Sequence, residues 1–301
     1  MKAMPQPQTS IPLPSGHTID GYRFERQLSM GGFSIVYLAY DPAGNEVAIK
    51  EYLPQSLAHR EVGLLPQVSP VNLEAFQNGM MAFYEEGIAL ARLNHPNVVR
   101  VLNFLRANDT VYLIMRYEQG RTLHEHIRKH RSGFRESFIR GVFARLLSGL
   151  REVHVNKLLH LDIKPSNIYL RVDGTPVLID FGAARQTLTN VDPELRPTYT
   201  PGYAAPEQHG NLSGQGPWTD VYAVGASMYA CMAAAAPQPA NLRRLKDELV
   251  PAVVRFQGEY SPELLATIDQ CLCLDPLERP QSAFALQRML AKSVAPPPPT
   301  E

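Results

Sequence analysis

Polar and apolar side chains alternate along Tyr22-Arg-Phe-Glu-Arg-Gln-Leu28, and from residue 19 to residue 50 the pattern is one of short strands broken by turns. After Ser29-Met30-Gly31-Gly32-Phe33 comes the strand-like run Ser34-Ile35-Val36-Tyr37-Leu38-Ala39-Tyr40, then Glu46-Val47-Ala48-Ile49-Lys50, and later Val111-Tyr112-Leu113-Ile114-Met115. Helical spacing over residues 83–93 puts Glu86, Leu90 and Leu93 on one inward face, and a second helical pattern covers residues 136–155. Two short apolar runs, 168–170 and 177–179, flank Asp173-Gly174, a strong hairpin signal. Residues 1–17 hold four prolines and little to bury, which predicts a flexible lead, and the proline-rich end, 294–301, predicts a polyproline-like tail or linker.

Composition narrows the picture a little. A chain of 301 residues buries a substantial core, as one large domain or two modest ones. The formal net charge of +0 gives no indication of nucleic acid as a partner. No apolar run approaches the roughly 20 residues that a membrane helix needs, and the N-terminus lacks the apolar core of a signal peptide. The three cysteines, Cys231, Cys271 and Cys273, suit a reducing compartment, and Cys271-Leu-Cys273 is too tight for a zinc pair. A cytoplasmic protein is expected.

Candidate chemistry concentrates in His160-Leu161-Asp162-Ile163-Lys164-Pro165-Ser166-Asn167, on one side of the expected hairpin, with Asp180-Phe181-Gly182 leaving the other. A carboxylate, a lysine, an asparagine and a second carboxylate suit in-line phosphoryl transfer. Asp162 would take or orient a hydroxyl proton, Lys164 would offset charge on the moving group, and Asn167 with Asp180 would hold magnesium.

These segments resemble the catalytic loop and the magnesium-binding Asp-Phe-Gly of protein kinases, and the resemblance extends over residues 20–292. It implies an α+β, two-lobed protein-kinase-like fold: a small antiparallel β-sheet lobe with one main helix over residues 18–116, and a larger, mostly helical lobe over 117–293. In the glycine turn, Gly31 and Val36 match the family pattern, Gly32 lies beside them, and Ser29 and Ser34 replace its first and third glycines. Val47-Ala48-Ile49-Lys50 is similar to the strand whose lysine reaches the ATP phosphates, with Glu86, rather than its neighbour Glu85, as the helix partner. Leu28, Val36, Ala48 and Tyr169 are implied to sandwich the adenine ring, Met115 to be the gatekeeper, and the backbone of Arg116 and Glu118 to meet the adenine edge. Glu86 lies 36 positions after Lys50, and the extra stretch 51–77, opening Glu51-Tyr52-Leu53-Pro54, resembles that of a group of bacterial serine/threonine kinases.

Further along, Ala205-Pro206-Glu207 is similar to the mark that ends the activation loop of protein kinases, and it argues against a small-molecule kinase. Thr200 is implied to bond Asp162 and Lys164; Thr187, Thr189 and Thr198 are candidate autophosphorylation sites. Structural roles are implied for His160, stacked with Phe181 and Leu90, for Asp220, holding the catalytic-loop backbone, and for Arg279, paired with Glu207. Leu161 breaks the pattern, standing where many kinases carry an arginine that a loop phosphate neutralises. The implied activity is ATP- and Mg²⁺-dependent phosphorylation of protein Ser/Thr hydroxyls, with Mn²⁺ as a substitute metal. A phosphatase or a phosphopeptide-binding protein is a candidate partner. The alternative is a pseudokinase, a nucleotide-binding scaffold, for which only Ser29, Ser34 and Leu161 speak.

Overall fold

The computed structural model describes residues 10–181, 200–209 and 214–291. Its contacts group into two compact units, the first built from the described residues up to Asn94 and Val99–Glu118, the second from His95–Val98 and the described residues from Gln119 on.

In the first unit six strands form one antiparallel sheet, β1 (Thr18–Ile19), β2 (Tyr22–Met30), β3 (Ser34–Tyr40), β4 (Glu46–Tyr52), β7 (Val101–Ala107) and β8 (Thr110–Arg116), in the order β1-β2-β3-β4-β8-β7. Cross-strand partners point to the same side of a sheet. The pairs Val36↔Lys50, Leu38↔Ala48, Ala48↔Met115 and Lys50↔Leu113 therefore define one face, and Ile35↔Glu51, Tyr37↔Ile49 and Glu51↔Tyr112 the other. On the first face lies α1 (Leu73–Ala91), whose Phe83 packs against Tyr52 with ring centroids 5.6 Å apart. Gly87 permits this approach, because a Cβ there would stand 2.5 Å from the Phe104 ring. The helix begins ten residues before the periodic stretch 83–93, so the end of the extra segment 51–77 is its first turn. The rest of that segment forms a two-stranded hairpin, β5 (Ala58–His59) with β6 (Gln67–Val68).

The second face of the sheet is organised by a buried ion pair that the pattern of the chain does not announce. Glu51 and Arg60 side chains are both fully buried and pair directly. The Glu51 carboxylate also accepts the Tyr37 hydroxyl at 2.7 Å and the Tyr112 hydroxyl at 2.9 Å. Arg60 in turn donates to the carbonyls of Leu64 at 3.1 Å and Ile11 at 3.3 Å, while Ile11 N–H donates back to Arg60 O at 2.7 Å. Burial pulls the guanidinium pKa down and bonding to Glu51 more than reverses it; burial and then the Glu51 charge push both tyrosines up. Residues 10–17 consequently depart from the expected flexible lead: Ser10 and Leu13 are buried, and Leu13 N–H donates to Tyr37 Oη at 3.1 Å. Residues 1–9 and the proline-rich tail lie outside the described residues.

In the second unit α2 (Leu123–Lys129) is followed by α3 (Glu136–Val155), which buries Ile139, Val142, Phe143, Leu146, Leu147, Leu150 and Val153 at helical spacing. The hairpin expected around Asp173-Gly174 forms as β10 (Ile168–Arg171) and β11 (Pro176–Leu178), and a third strand, β9 (Gly120–Thr122), joins its outer edge. That strand, Gly-Arg-Thr, carries no apolar alternation, so the sequence pattern does not mark it. α4 (Pro217–Ala233) is buried along nearly its whole length and packs against α3, α7 (Pro262–Cys271) and α8 (Ala283–Ala291). An antiparallel sheet with one main helix and a mostly helical second unit match the expected α+β fold.

Breaking a buried ion pair by removing one partner costs roughly 3–5 kcal/mol, whereas replacing both with apolar groups is far milder. Arg60→Met should therefore lower the denaturant midpoint sharply, and Glu51→Leu combined with Arg60→Met should recover much of the loss. A single variant as stable as the parent chain contradicts the role assigned to the pair.

Candidate active site

The catalytic-loop residues of the second unit are held by one carboxylate. Asp220, in the first turn of α4 and fully buried, accepts the backbone N–H of His160 at 2.9 Å and of Leu161 at 2.8 Å, and pairs with His154 Nε2 at 2.8 Å. Burial alone would raise its pKa, but these bonds, led by His154, bring it below the ordinary carboxylate value. The hold is needed because Leu161 sits at φ 61°, a left-handed conformation whose N–H a regular ladder cannot satisfy. Gln208 completes the clamp: its Nε2 donates to Leu161 O at 2.8 Å, and its Oε1 accepts Ala205 N–H at 2.9 Å. Gln208 and His154 lie 47 and 66 positions from Leu161 and Asp220, which they touch, and carry no local signal.

Beyond the clamp the reactive groups converge. Lys164 Nζ lies 2.7 Å from Asp162 Oδ2 and 2.8 Å from Thr200 Oγ1, and the Thr200 hydroxyl donates to Asp162 Oδ1 at 3.0 Å. Asn167, buried in the 3-10 turn Pro165–Asn167, donates its Nδ2 to Asp162 O at 2.9 Å and to Oδ2 at 3.0 Å. That orientation leaves its carboxamide oxygen as a candidate ligand. Ile179 N–H donates to Asn167 O at 3.0 Å, which fixes the strand end from which the exposed carboxylate of Asp180 leaves at φ 61°. Hard oxygen donors of this kind suit Mg²⁺. His160 lies beneath, its ring 4.3 Å from that of Phe181 and its Nε2 3.2 Å from Ile179 O. Burial depresses its pKa despite the nearby Asp220 and Asp162 charges.

The end of the activation segment is fastened separately. Arg279 meets Glu207 through two bonds, 2.8 and 3.0 Å, and also donates to the carbonyls of Cys273 at 2.8 Å and Leu274 at 3.0 Å. Thr219 adds its hydroxyl to Glu207 Oε1 at 2.8 Å. The order Ala205-Pro206-Glu207, Thr219-Asp220, Arg279 thus folds into two adjoining anchors on α4.

Within the first unit the implied nucleotide residues sort by sheet face. Val36, Ala48, Lys50 and Met115 share one face by register, and Leu28 lies at the register shift between Gln27 and Ser29. Lys50 is buried, with its ammonium 5.5 Å from the centroid of the Phe83 ring, and Glu86 is buried in α1. Arg116 N–H donates to Arg100 O at 2.9 Å. Neither Gly31 nor Gly32 has a neighbour that would crowd a Cβ, apart from ordinary contact with Ser34 O. The turn they form is tethered by the extra segment: Gln55 donates its backbone N–H to Gly32 O at 2.8 Å and its side chain to Gly31 O at 3.2 Å. Tyr169 belongs to β10 of the second unit. Gly182, Thr187, Thr189 and Thr198 lie outside the described residues.

The pattern of the protein kinase domain matches residues 22–291. The chain belongs to the protein kinase family. Its kinase relatives include the serine/threonine-protein kinase PknA of Nostoc sp., 30% identical over 93% of this chain and 48% of that protein. Serine/threonine-protein kinase C of Synechocystis sp. is also 30% identical, over 89% of this chain and 49% of its own length. The kinase domain described here therefore spans about half the length of these relatives. A solved structure titled PpkA-294 apo form superposes with a TM-score of 0.84 at 36% identity, covering 93% of this chain and 99% of that one. Membership of this family implies ATP and a divalent metal for the domain.

Each buried N–H left without an acceptor costs roughly 1–3 kcal/mol. Asp220→Ala orphans two, so it should lower both the unfolding midpoint and kcat at neutral pH. Because the native carboxyl is depressed, its contribution is in force above about pH 4 and disappears on further acidification. Equal stability and equal kcat at pH 7 would remove Asp220 from this role.

Proposed function

We propose that this kinase domain transfers the terminal phosphoryl group of ATP to serine or threonine hydroxyls of proteins, with Asp162 as the base. The observation that carries the reading is the set of bonds joining Asp162, Lys164, Asn167 and Thr200 within 2.7–3.0 Å. Asp162 orients the acceptor hydroxyl and takes its proton as the new O–P bond forms and the bond to the ADP oxygen breaks. Lys164, already against the Asp162 carboxylate, offsets charge on the group in transit. Asn167 and Asp180 would hold Mg²⁺, which supplies charge neutralisation along the phosphates when bound. Lys50 would bind the ATP phosphates, steadied by Glu86, and the turn at Gly31-Gly32 would cover them. Thr200 ties the acceptor platform to the base, as a kinase acting on proteins requires. A cytoplasmic setting is proposed as well, supported by the buried, unlinked thiols of Cys231 and Cys271.

Regulation is proposed to differ from the phosphate-dependent switch. Leu161 is 4% exposed, with both its backbone groups taken by Asp220 and Gln208, so the loop presents an apolar side chain where a buried charge would await a phosphate. Phosphatase-treated protein should phosphorylate a generic acceptor at an undiminished rate. Activity that vanishes on dephosphorylation and returns on rephosphorylation would refute this. Autophosphorylation of the loop threonines is then a consequence of the activity and not its prerequisite.

The catalytic reading itself is checked with labelled ATP, magnesium and a generic protein acceptor. General-base groups contribute on the order of 10²–10⁴-fold, so Asp162→Asn should reduce labelling by at least about 100-fold. Equal labelling by both proteins would leave the domain a nucleotide-binding scaffold.

A further inference from the structure

The ladder between β3 and β4 ends in register at Ser34 and Tyr52, yet the start of the extra segment goes on bonding to the glycine turn. Three successive carbonyls of the turn accept from residues 53–55: Gly31 O from the Gln55 side chain at 3.2 Å, Gly32 O from Gln55 N–H at 2.8 Å, and Phe33 O from Leu53 N–H at 3.0 Å. In a regular strand neighbouring carbonyls point to opposite edges, so this stretch is turned bodily toward one partner. A carbonyl and the N–H that follows it point in opposite directions across a planar trans peptide. The Gly32 and Phe33 N–H groups are thereby aimed away from Gln55, and neither has a partner among the described residues. Space around the turn is open, since a Cβ on Gly32 would meet nothing within 4 Å. Successive backbone N–H groups presented together favour an anion.

Gln55 stands on a firm base. Leu53 and Pro54 before it are buried, and Leu57 and Ala58 N–H groups close a turn on Pro54 O at 3.0 and 2.8 Å. Asn72 Nδ2 reaches Leu57 O at 3.4 Å, and Arg60 is locked to Glu51 in the buried ion pair. Fold stability does not call for the tether itself. Gln55, Gly31, Gly32 and Phe33 are all exposed, and water readily replaces hydrogen bonds made within its reach. A glycine turn left untethered ranges widely, and each conformation that misaligns its N–H groups is lost to phosphate binding.

Resting on the reading in which this turn covers the ATP phosphates, we infer that Gln55 is a positioning residue for the nucleotide. It holds the turn so that the Gly32 and Phe33 N–H groups are set for phosphate oxygens before ATP arrives. Gln55 itself touches no reacting atom. The extra segment thus acts as a strut for the glycine turn, with Gln55 as its point of contact. An apparent dissociation constant rises as the binding-competent fraction falls. The effect therefore belongs to ligands that carry phosphates, and not to the adenosine part.

The test is calorimetric binding of ADP with Mg²⁺, and of adenosine, to the whole chain. Gln55→Pro removes both bonds, while proline suits the first inner position of the turn that closes on Pro54 O. It should weaken ADP about tenfold, the shift expected when an untethered turn is competent about one tenth of the time. KM for ATP should rise alongside, with adenosine affinity, KM for a generic protein acceptor and the unfolding midpoint unchanged. Gln55→Leu keeps the backbone bond and should weaken ADP about threefold, again sparing adenosine. Should the proline variant unfold, the leucine variant decides alone. ADP affinity that is unchanged or tighter in the folded variants overturns the inference. So does an equal loss of ADP and adenosine, since Gln55 then supports the unit as a whole and not the phosphate site. A wild-type chain that binds neither ligand is a different result and falls on the kinase reading instead.

Discussion

The second unit depends on a carboxylate placed where water cannot reach it. Asp220 is fully buried and stays charged because two backbone N–H groups and a histidine converge on it. In exchange it fixes a stretch of chain that has no ladder of its own, including a leucine at positive φ. Asp162 and Lys164 follow immediately, and their side chains are held together by direct bonding and by Thr200. Preorganisation of this kind is what phosphoryl transfer chiefly asks of a protein, since the reacting groups come with the nucleotide and the acceptor.

The first unit repeats the device with another acid. Lys50 and Glu51 are neighbours on β4, and the pleat sends them to opposite faces. Lys50 sits on the side of α1, while Glu51 enters a closed set of donors from Tyr37, Tyr112 and Arg60. Arg60 reaches it from the extra segment and also grips the chain at Ile11. A segment that looks like an insertion thus covers the outer face of the sheet, brings the N-terminal residues with it and, through Gln55, tethers the glycine turn. Buried ion pairs add little net stability over apolar packing, but they admit only one arrangement. The extra segment is accordingly part of the fold.

At Leu161 an apolar side chain fills the position beside the base, and the loop is held by hydrogen bonds from both sides. Arg279 with Glu207 secures the far end of the activation segment in the same manner, through a bidentate pair reinforced by Thr219. Buried charge is thus kept at these anchors, while the side chain next to the base is apolar.

Much of this was legible in the order of residues. Period-two alternation marked the main strands, helical spacing marked the inward face of Glu86, Leu90 and Leu93, and Asp173-Gly174 marked a hairpin, because these patterns reflect local geometry that the chain carries with it. The hold of Asp220 on the loop backbone and the pairing of Arg279 with Glu207 were implied by short motifs, and the contacts are present. The partners of buried charges were not. Arg60 for Glu51, Gln208 and His154 for the catalytic loop, and β9 on the edge of the hairpin are all joined by packing between segments distant in sequence or lacking any periodic signature. A lone Glu or Arg reads as a solvated surface residue until burial removes the water, and only the tertiary structure decides where that happens.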